Sequence, residues 1–287
     1  MALVLYDILC EYYKTKLSWG VLTGVRPTKL YRNFVNENSV EYADKYFYDK
    51  LRVSDEKIAM CKKIEHNQRD IISMSDERSF SLYVSIPFCP SRCSYCSFVS
   101  QSVEKAKFLL DDYIKLLIKE IKFTADIAKK LNLKLLSVYI GGGTPTTLSP
   151  KQLEVLLFEI ISDFDFSYCK EFTVEAGRPD TVTKEKLKAI KSFPVSRISI
   201  NPQTFNDEVL QTIGRRHTAE QTIKAFELAR ECEFDNINMD LIAGLTGESL
   251  DSFQQSVDKV CALSPESVTV HTLALKRSSA LISYRMR

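Results

Sequence analysis

The sequence contains little glycine and no long hydrophobic run. Its nine glycines in 287 residues are about 3% of the chain, under half of the usual share of about 7%, so three consecutive glycines require an explanation. No uncharged segment reaches the roughly 18–20 apolar residues that span a bilayer, and we expect no membrane span. The apolar residues 1–6 are followed at once by Asp7 and Glu11. They are too short for a signal peptide and lack its basic region.

A large excess of charge of either sign is also missing. The chain has 39 Lys and Arg residues against 37 Asp and Glu residues, a net charge of +2, which gives no electrostatic signature of nucleic-acid binding. Hydrophobic residues make up 45% and charged residues 26%, a balance that excludes disordered, collagen-like and coiled-coil proteins. The length predicts one large globular domain or two ordinary ones.

Cysteine is too sparse for a secreted protein held together by disulfides. There are eight cysteines in 287 residues, whereas disulfide scaffolds are smaller and denser in cysteine. We therefore expect a reducing, cytoplasmic location. The isolated cysteines are expected to be small core residues; they are Cys10, Cys61, Cys169, Cys232 and Cys261.

The pattern of the chain changes near residue 79. Residues 1–78 are rich in charge and tyrosine and predict a mainly helical N-terminal segment, whereas residues 79–287 alternate short β-rich runs with amphipathic stretches. The predicted strands are 82–86, 135–140, 172–175, 197–200, 237–242 and 268–272. The predicted helices lie near 104–131, 150–163, 183–191, 206–213, 218–232 and 249–262. This alternation indicates a parallel α/β sheet, either doubly wound or closed as a barrel.

The unusual residues of the second segment follow directly after strands. A cysteine-rich loop follows the first strand, the three glycines follow the second, and Glu175 ends the third. Asn201 to Gln203 follow the fourth strand, and Ala274 follows the sixth. Since ligand sites of parallel α/β folds form at the carboxyl ends of the strands, these stretches are predicted to meet at one rim.

The cysteine-rich loop has the spacing C-x3-C-x2-C, at Cys89, Cys93 and Cys96. Thiolates suit zinc or an iron–sulfur cluster. A structural zinc site needs a fourth ligand at close spacing, and the sequence has no second close cysteine or histidine pair. Three ligands fit a four-iron cluster with one open iron; zinc binding and buried thiols remain the alternatives.

Three glycines at 141–143 allow the backbone to approach a neighbouring group without side chains in the way. A P-loop is excluded because no Gly-Lys-Ser/Thr follows, and a dinucleotide fingerprint is excluded because Thr146 stands where its third glycine is required. A tight turn between strand and helix is the alternative to a ligand-binding role.

Several motifs together resemble the radical S-adenosylmethionine superfamily. The chain is similar to its oxygen-independent coproporphyrinogen III oxidase-like family, and to the HemZ branch, often called coproporphyrinogen dehydrogenase. The motifs are 83–89 (YVSIPFC) with the rest of the cysteine triad, 141–145 (GGGTP), 174–179 (VEAGRP), 197–203 (RISINPQ), 214–218 (GRRHT), 238–244 (NMDLIAG) and 271–277 (HTLALKR). They cover roughly residues 80–280.

This resemblance implies a partial parallel (β/α)6 barrel with a helical N-terminal extension, and two cofactors. It implies that the three cysteines hold a [4Fe-4S] cluster. The residues that it implies for S-adenosylmethionine are Tyr83, Tyr95, Gly142, Gly143, Thr144, Glu175, Gln203, Arg215, Asp240 and Ala274. From the residues alone, Arg215 and Asp240 could equally form an ion pair, and Tyr95 could simply pack in the core.

The resemblance further implies an activity in haem biosynthesis, the oxidative decarboxylation of coproporphyrinogen III to protoporphyrinogen IX. A 5′-deoxyadenosyl radical, formed with one electron from the cluster, removes hydrogen from a propionate side chain, which loses carbon dioxide and becomes vinyl. The implied partners are a tetrapyrrole substrate and an electron donor such as flavodoxin or ferredoxin. Another tetrapyrrole substrate, or a haem-binding chaperone without oxidase turnover, are the alternatives.

Two departures from the family bear on this activity. The oxidase carries another cysteine two residues after the triad, where this chain has Phe98; the HemZ branch and the haem-chaperone-like relatives also lack it. Relatives continue beyond the sixth strand into a domain that helps to enclose substrate. We therefore expect this chain to be truncated, with a cofactor site and without the C-terminal substrate-covering domain.

Overall fold

The computed structural model describes residues 2–24, 26–276, 279 and 281. The chain divides into two compact units, one up to Glu77 and one from Arg78 onward. None of the helices in the described part of the chain combines the length and the apolar character of a bilayer span.

The first unit is built from four helices. They are α1 (Ala2–Tyr13), α2 (Pro27–Glu37), α3 (Val40–Asp49) and α4 (Asp55–Ser73). Ser39 and Ser54 cap the amino ends of α3 and α4, because each hydroxyl accepts a hydrogen bond from a backbone N–H three residues later. Tyr31 and Phe47 are fully buried and their rings meet edge to face at 5.2 Å. This unit thus has an aromatic core of its own.

The second unit alternates strands and helices. Its strands are β1 (Ser79–Ile86), β2 (Phe88–Cys89), β3 (Gln101–Ser102), β4 (Lys134–Gly142), β5 (Glu171–Glu175), β6 (Arg197–Gln203), β7 (Ile237–Ala243) and β8 (Ser267–Thr272). Its α-helices are α5 (Val103–Ala106), α6 (Leu110–Lys130), α7 (Pro150–Asp163), α8 (Lys184–Lys191), α9 (Asp207–Thr212), α10 (Ala219–Glu231) and α11 (Leu250–Leu263). Short 3-10 helices occur at Lys107–Leu109, Pro145–Thr147 and Pro179–Thr181.

Six strands form one parallel sheet in the order β1-β4-β5-β6-β7-β8, and β2 pairs separately with β3. The order follows the chain without the reversal that marks a doubly wound sheet. In the described residues β1 and β8 pair on one side only, so the sheet is open. The predicted α/β fold, a partial parallel barrel with a helical N-terminal segment, is confirmed.

The two faces of this sheet differ in chemistry. Residues such as Val174, Ile200 and Met239 are fully buried and belong to one core with the helices. The alternate positions are polar, because successive side chains of a strand point to opposite faces. They include Ser137 and Tyr139 on β4, Glu171, Thr173 and Glu175 on β5, Arg197 and Ser199 on β6, and Asn238 and Asp240 on β7. Helices cover the apolar face, and the polar face carries the side chains available for chemistry.

Two sequence expectations need correction. The helix predicted near 104–131 is divided into α5, the 3-10 helix Lys107–Leu109 and α6. Among the isolated cysteines, Cys61 and Cys232 are buried as expected, but Cys261 is exposed. Cys261 lies in the last turn of α11, whose buried residues are Ser256 and Val260, so its side chain is on the opposite face of the helix.

Candidate active site

The loop that carries the three cysteines is anchored at its first cysteine and again between the second and the third. Cys89 lies in β2 and pairs with Ser102 of β3. Farther along, the backbone N–H of Ser94 donates to the carbonyl of Ile213 at 3.0 Å. None of the three thiols is in a disulfide. In the described residues no group of three His, Cys, Asp or Glu side chains is arranged to hold a single metal ion.

The glycine-rich end of β4 holds the cysteine loop in place. The N–H of Gly143 donates to the carbonyl of Ile86 at 2.9 Å, and the N–H of Thr144 donates to the carbonyl of Phe88 at 2.8 Å. The Thr144 hydroxyl is 3.6 Å from the Cys89 Sγ and donates to it, and Thr144 is almost fully buried. The two predicted motifs are therefore in direct contact.

Each glycine of the triplet has a steric reason. A Cβ on Gly143 would lie 2.6 Å from the carbonyl oxygen of Ile86, and one on Gly141 would lie 3.0 Å from the Glu175 carboxylate. Gly142 has a φ of +95°, in the region that favours glycine. The glycines thus let the cysteine loop and Glu175 approach β4 closely. Contact with a ligand stays a prediction for Gly142, Gly143 and Thr144.

Gly143→Ala should loosen the cysteine loop. The new Cβ would meet backbone atoms of Ile86 and Phe88 at 2.6–2.9 Å, and overpacking of this kind costs roughly 1–3 kcal/mol. Urea unfolding should show that loss of stability. Gly177→Ala is the control, because its nearest contact is the Asn201 side-chain amide at 3.2 Å. An equal loss in both variants would contradict a specific role for Gly143.

Glu175 is held by Tyr139 of the neighbouring strand β4, whose ring in turn packs on Tyr83 of β1. The Tyr139 hydroxyl donates to Glu175 Oε1 at 2.5 Å, and the Tyr139 ring stacks on that of Tyr83 with centroids 5.9 Å apart. Burial raises the pKa of Glu175 to about 7, and the charge of Asp240 contributes; Tyr139 and Arg215 act in the opposite direction. The pairing of β4 with β5 places Tyr139 beside Glu175 and so fixes the position of the carboxylate. Its burial is what brings its pKa near neutrality.

Asp240 belongs to a polar network on the same face of the sheet. Asn238 donates to Asp240 Oδ1 at 2.7 Å and to the Ser199 hydroxyl at 2.8 Å. The Ser199 hydroxyl in turn donates to Asn201 Oδ1 at 2.6 Å. The network spans β6 and β7 and ends at the carboxyl rim. It fixes one oxygen of Asp240 and leaves the other oxygen for a further donor.

Arg215 is a buried cation between two strand ends. Its guanidinium donates to the carbonyl of Asn201, and also to that of Gly177 at 3.4 Å. The facing Tyr95 and Cys93 more than offset the effect of burial on the pKa of Arg215, so it stays charged. Among the described residues no ion pair joins Arg215 to Asp240; Arg215 bonds instead to backbone carbonyls and faces Tyr95 and Cys93.

Gln203 has a strained backbone and an unpaired side-chain oxygen. It ends β6 with a φ of +69°, a conformation that costs free energy in a residue with a side chain and is concentrated at functional sites. The β6–β7 register shifts between Ile200 and Gln203. Gln203 is 7% exposed, and its Oε1 has no hydrogen-bond partner in the described structure. A buried acceptor without a partner indicates a place where a ligand donor would bind.

The structure brings most of the predicted residues to the same rim of the sheet. Cys89 contacts Thr144 directly. Tyr139 links Tyr83 to Glu175, because its ring stacks on the Tyr83 ring and its hydroxyl donates to Glu175. Ala274 follows β8 and is exposed, and among the described residues no hydrogen bond joins it to the other predicted residues. The sequence analysis missed Tyr139. Its position two residues before Gly141, on the same face of β4, was the available signal.

Soft thiols and unpaired polar atoms at this rim fit the two predicted cofactors. Three free cysteines can supply thiolates to an iron–sulfur cluster. Beside them, Gln203 Oε1 and Arg215 Nε are buried without partners in the described structure, and the partly buried Glu175 can carry charge. An acceptor, a carboxylate and a cationic donor together fit a polar ligand that carries charges of both signs.

Comparison with known proteins identifies the family. The model of the radical SAM superfamily matches residues 83–260. The chain is 39% identical over 269 residues to the oxygen-independent coproporphyrinogen-III oxidase-like protein HemZ of Bacillus subtilis (strain 168), covering 92% of this chain and 53% of that protein. It is also 39% identical over 197 residues to the heme chaperone HemW of the same strain, covering 68% of this chain and 51% of that protein. The chain thus spans about half the length of these curated relatives.

A solved structure supports the same assignment. The coproporphyrinogen III oxidase HemN of Escherichia coli, described as a radical SAM enzyme, matches with a TM-score of 0.63 and 27% sequence identity. The match covers 75% of this chain and 49% of that one. The chain therefore belongs to the radical SAM superfamily, whose cofactors are a [4Fe-4S] cluster and S-adenosylmethionine.

Proposed function

We propose that this chain carries the cofactor-binding part of a radical SAM oxidoreductase that converts coproporphyrinogen III to protoporphyrinogen IX by anaerobic oxidative decarboxylation. The observation that supports it most is the contact between the cysteine loop and the end of β4, through Thr144 and Cys89, on the rim that carries Glu175. The names of the HemZ and HemN relatives favour a tetrapyrrole as substrate.

Cys89, Cys93 and Cys96 are the proposed protein ligands of the [4Fe-4S] cluster. The three thiolates would hold the cluster and leave a coordination position for S-adenosylmethionine. When bound, the two cofactors supply a 5′-deoxyadenosyl radical. The Thr144 hydroxyl donates to Cys89 Sγ and so restrains the first ligand, while the backbone of Gly142 and Gly143 would contact the methionine portion.

The remaining proposed contacts come from three strand ends. The ionised Glu175 would balance the positive sulfonium or bind ribose hydroxyls, and Tyr139 keeps its carboxylate in one orientation. Asp240 offers a second carboxylate, and Gln203 offers the unpaired Oε1. Arg215 is also a proposed contact of S-adenosylmethionine. Tyr83 and Tyr95 would pack beside the cofactors, and Ala274 would line the pocket.

In the proposed reaction, the bound cofactors would supply the abstraction of a hydrogen atom from a substrate propionate. The propionate side chain would then give up carbon dioxide and one electron, the latter to an external acceptor, and become a vinyl group. The chain's own residues bind, orient and protect the reacting groups, while the cofactors carry the radical chemistry.

A haem-binding chaperone is the second candidate. The heme chaperone HemW of Bacillus subtilis is as similar in identity as HemZ, over a shorter match. The position two residues after the triad is occupied by Phe98, which is 59% exposed, where the oxidase has a further cysteine. A protein that retains the cluster site without turning over porphyrinogen would fit both facts.

One anaerobic experiment separates the two candidates. Reconstituted protein is incubated with S-adenosylmethionine and a flavodoxin or chemical reductant, in one reaction with coproporphyrinogen III and in another with haem. A product lighter by two oxidative decarboxylations, formed together with 5′-deoxyadenosine, supports the oxidase. A stable haem complex without porphyrinogen turnover supports the chaperone.

A further inference from the structure

Arg178 is a motif residue to which the proposed function gives no role. It lies three residues after the end of β5 and is only 3% exposed. Its guanidinium forms a bidentate ion pair with Asp180: Nε and Nη2 donate to the two carboxylate oxygens, each at 3.1 Å. A planar guanidinium is suited to such a fork, so its orientation is fixed by its own loop.

The free edge of this guanidinium faces the cysteine loop. Nη1 donates to the Ser91 carbonyl at 3.3 Å and to the Ser91 hydroxyl at 3.2 Å, and Nη2 donates to the same hydroxyl. Nη1 also lies 4.0 Å from Cys93 Sγ and donates to it. Arg178 therefore places a positive charge and an N–H donor against one of the proposed cluster ligands.

The surroundings of Arg178 are positively charged. Arg215 is buried nearby and faces Cys93. His217, whose side chain is fully buried 3.9 Å from Asp180, has its pKa lowered to about 3, first by burial and then by Arg215 and Arg178, against the effect of Asp180. At the His217 side chain each arginine therefore acts more strongly than Asp180 does.

Hydrogen bonds that do not involve Arg178 also hold the cysteine loop in place, so Arg178 is not needed only to fix the position of the loop. The Ser91 hydroxyl donates to the Gly214 carbonyl at 2.7 Å, and Ser94 N–H donates to Ile213. These bonds hold the loop from the segment after α9 without Arg178. These backbone and hydroxyl anchors carry no charge, whereas Arg178, like Arg215, places a cation at Cys93.

We propose that Arg178 is a positioning residue that tunes the cluster: it sets the orientation of the Cys93 side of the loop and stabilises the reduced, more negative state of the cluster. The inference rests on the proposed assignment of the three cysteines as ligands. One-electron reduction adds negative charge to the cluster, and a charge-assisted N–H donor stabilises that state more than the oxidised one.

The test uses Arg178→Met, which removes the charge and keeps an unbranched side chain of moderate size. Each protein is reconstituted anaerobically, without S-adenosylmethionine, and its cluster is titrated against potential with electron paramagnetic resonance as the readout. We expect Arg178→Met to keep its iron and to be about tenfold harder to reduce, a midpoint lower by about 59 mV for a one-electron couple.

Two further variants complete the design. Arg178→Lys keeps the charge and loses the fork, so its potential should fall less than that of Arg178→Met. Arg216→Met removes the same charge from the segment after α9, where its exposed side chain pairs with Glu104, and should leave the potential unchanged.

The outcomes are distinguishable. An Arg178→Met potential equal to that of the unmodified chain, an equal shift in Arg216→Met, or loss of iron from both Arg178 variants would overturn the tuning role. Failure of the unmodified chain to bind iron would instead overturn the ligand assignment, and with it the proposed function.

Discussion

Alanine at Cys89, Cys93 or Cys96 is expected to remove nearly all iron from the anaerobically reconstituted protein, which should otherwise hold about four irons per chain. The three thiols are free and belong to one loop, from Cys89 to Cys96, whereas the other cysteines lie elsewhere in the sequence. Each variant therefore leaves only two of the three proposed thiolate ligands. Iron analysis and the visible absorption of the cluster measure the effect.

Cys232→Ala is the matched control for this experiment. Cys232 is also a free, buried cysteine of the second unit, but it ends α10 and packs in the helix-covered core. The Cys232→Ala variant should bind as much iron as the unmodified chain. Undiminished iron in all three triad variants, or zinc as the metal retained, would refute the cluster assignment.

The sequence predicted the strands and the rim because both depend on local patterns. All six predicted strands occur, each lengthened by one to three residues at one end or at both, because short hydrophobic runs mark the buried centre of a strand rather than its ends. The cysteine spacing and the glycine triplet are also local. Their contact through Thr144 and Cys89 follows once β1 and β4 are neighbours in the sheet.

What the sequence did not reveal depends on register between strands. Tyr139 and Glu175 are 36 residues apart, and the pairing of Ile140 with Val174 decides that their side chains meet. Arg178 reaches Ser91 across 87 residues for a similar reason. Neither contact can be predicted from spacing along the chain, although Tyr139 lies beside a recognised motif and Arg178 lies within one.

Backbone conformation was the other hidden property. Gln203 adopts a positive φ although it is not glycine, next to a register shift in β6 that contains Pro202. A proline cannot donate to the sheet, which is a visible signal for the irregularity. The unpaired Oε1 that results could be found only in the folded chain.

Glu175→Gln is expected to weaken S-adenosylmethionine binding by about 10- to 150-fold at pH 8, since a lost charge-assisted hydrogen bond costs roughly 1.5–3 kcal/mol. Glutamine keeps the shape and can still accept from Tyr139. Iron content should not change, because Glu175 is not a proposed ligand. Calorimetric titration of the reconstituted protein measures the affinity.

The pKa of Glu175 gives this prediction a second signature. Burial raises the pKa to about 7, so the unbound carboxylate is largely protonated below that pH, and the affinity of the unmodified chain for the cationic ligand should fall as pH decreases from 8 to 6. The Gln variant should lose this pH dependence. Glu171→Gln is the control, since Glu171 begins the same strand and pairs with Arg197; it should bind as the unmodified chain does.

Stability should move in the opposite direction to affinity. The folded pKa of Glu175 lies above its ordinary value of 4.5, so ionisation is unfavourable in the folded apoprotein, and stability is lost as pH rises through about 4.5 to 7. Glu175→Gln removes this cost. The apoprotein variant should therefore be more stable than the unmodified chain at pH 8, with the difference shrinking toward pH 5. A variant that keeps its full affinity at pH 8 would remove Glu175 from the binding site, and a variant that is less stable than the unmodified chain at pH 8 would contradict the cost of ionising Glu175.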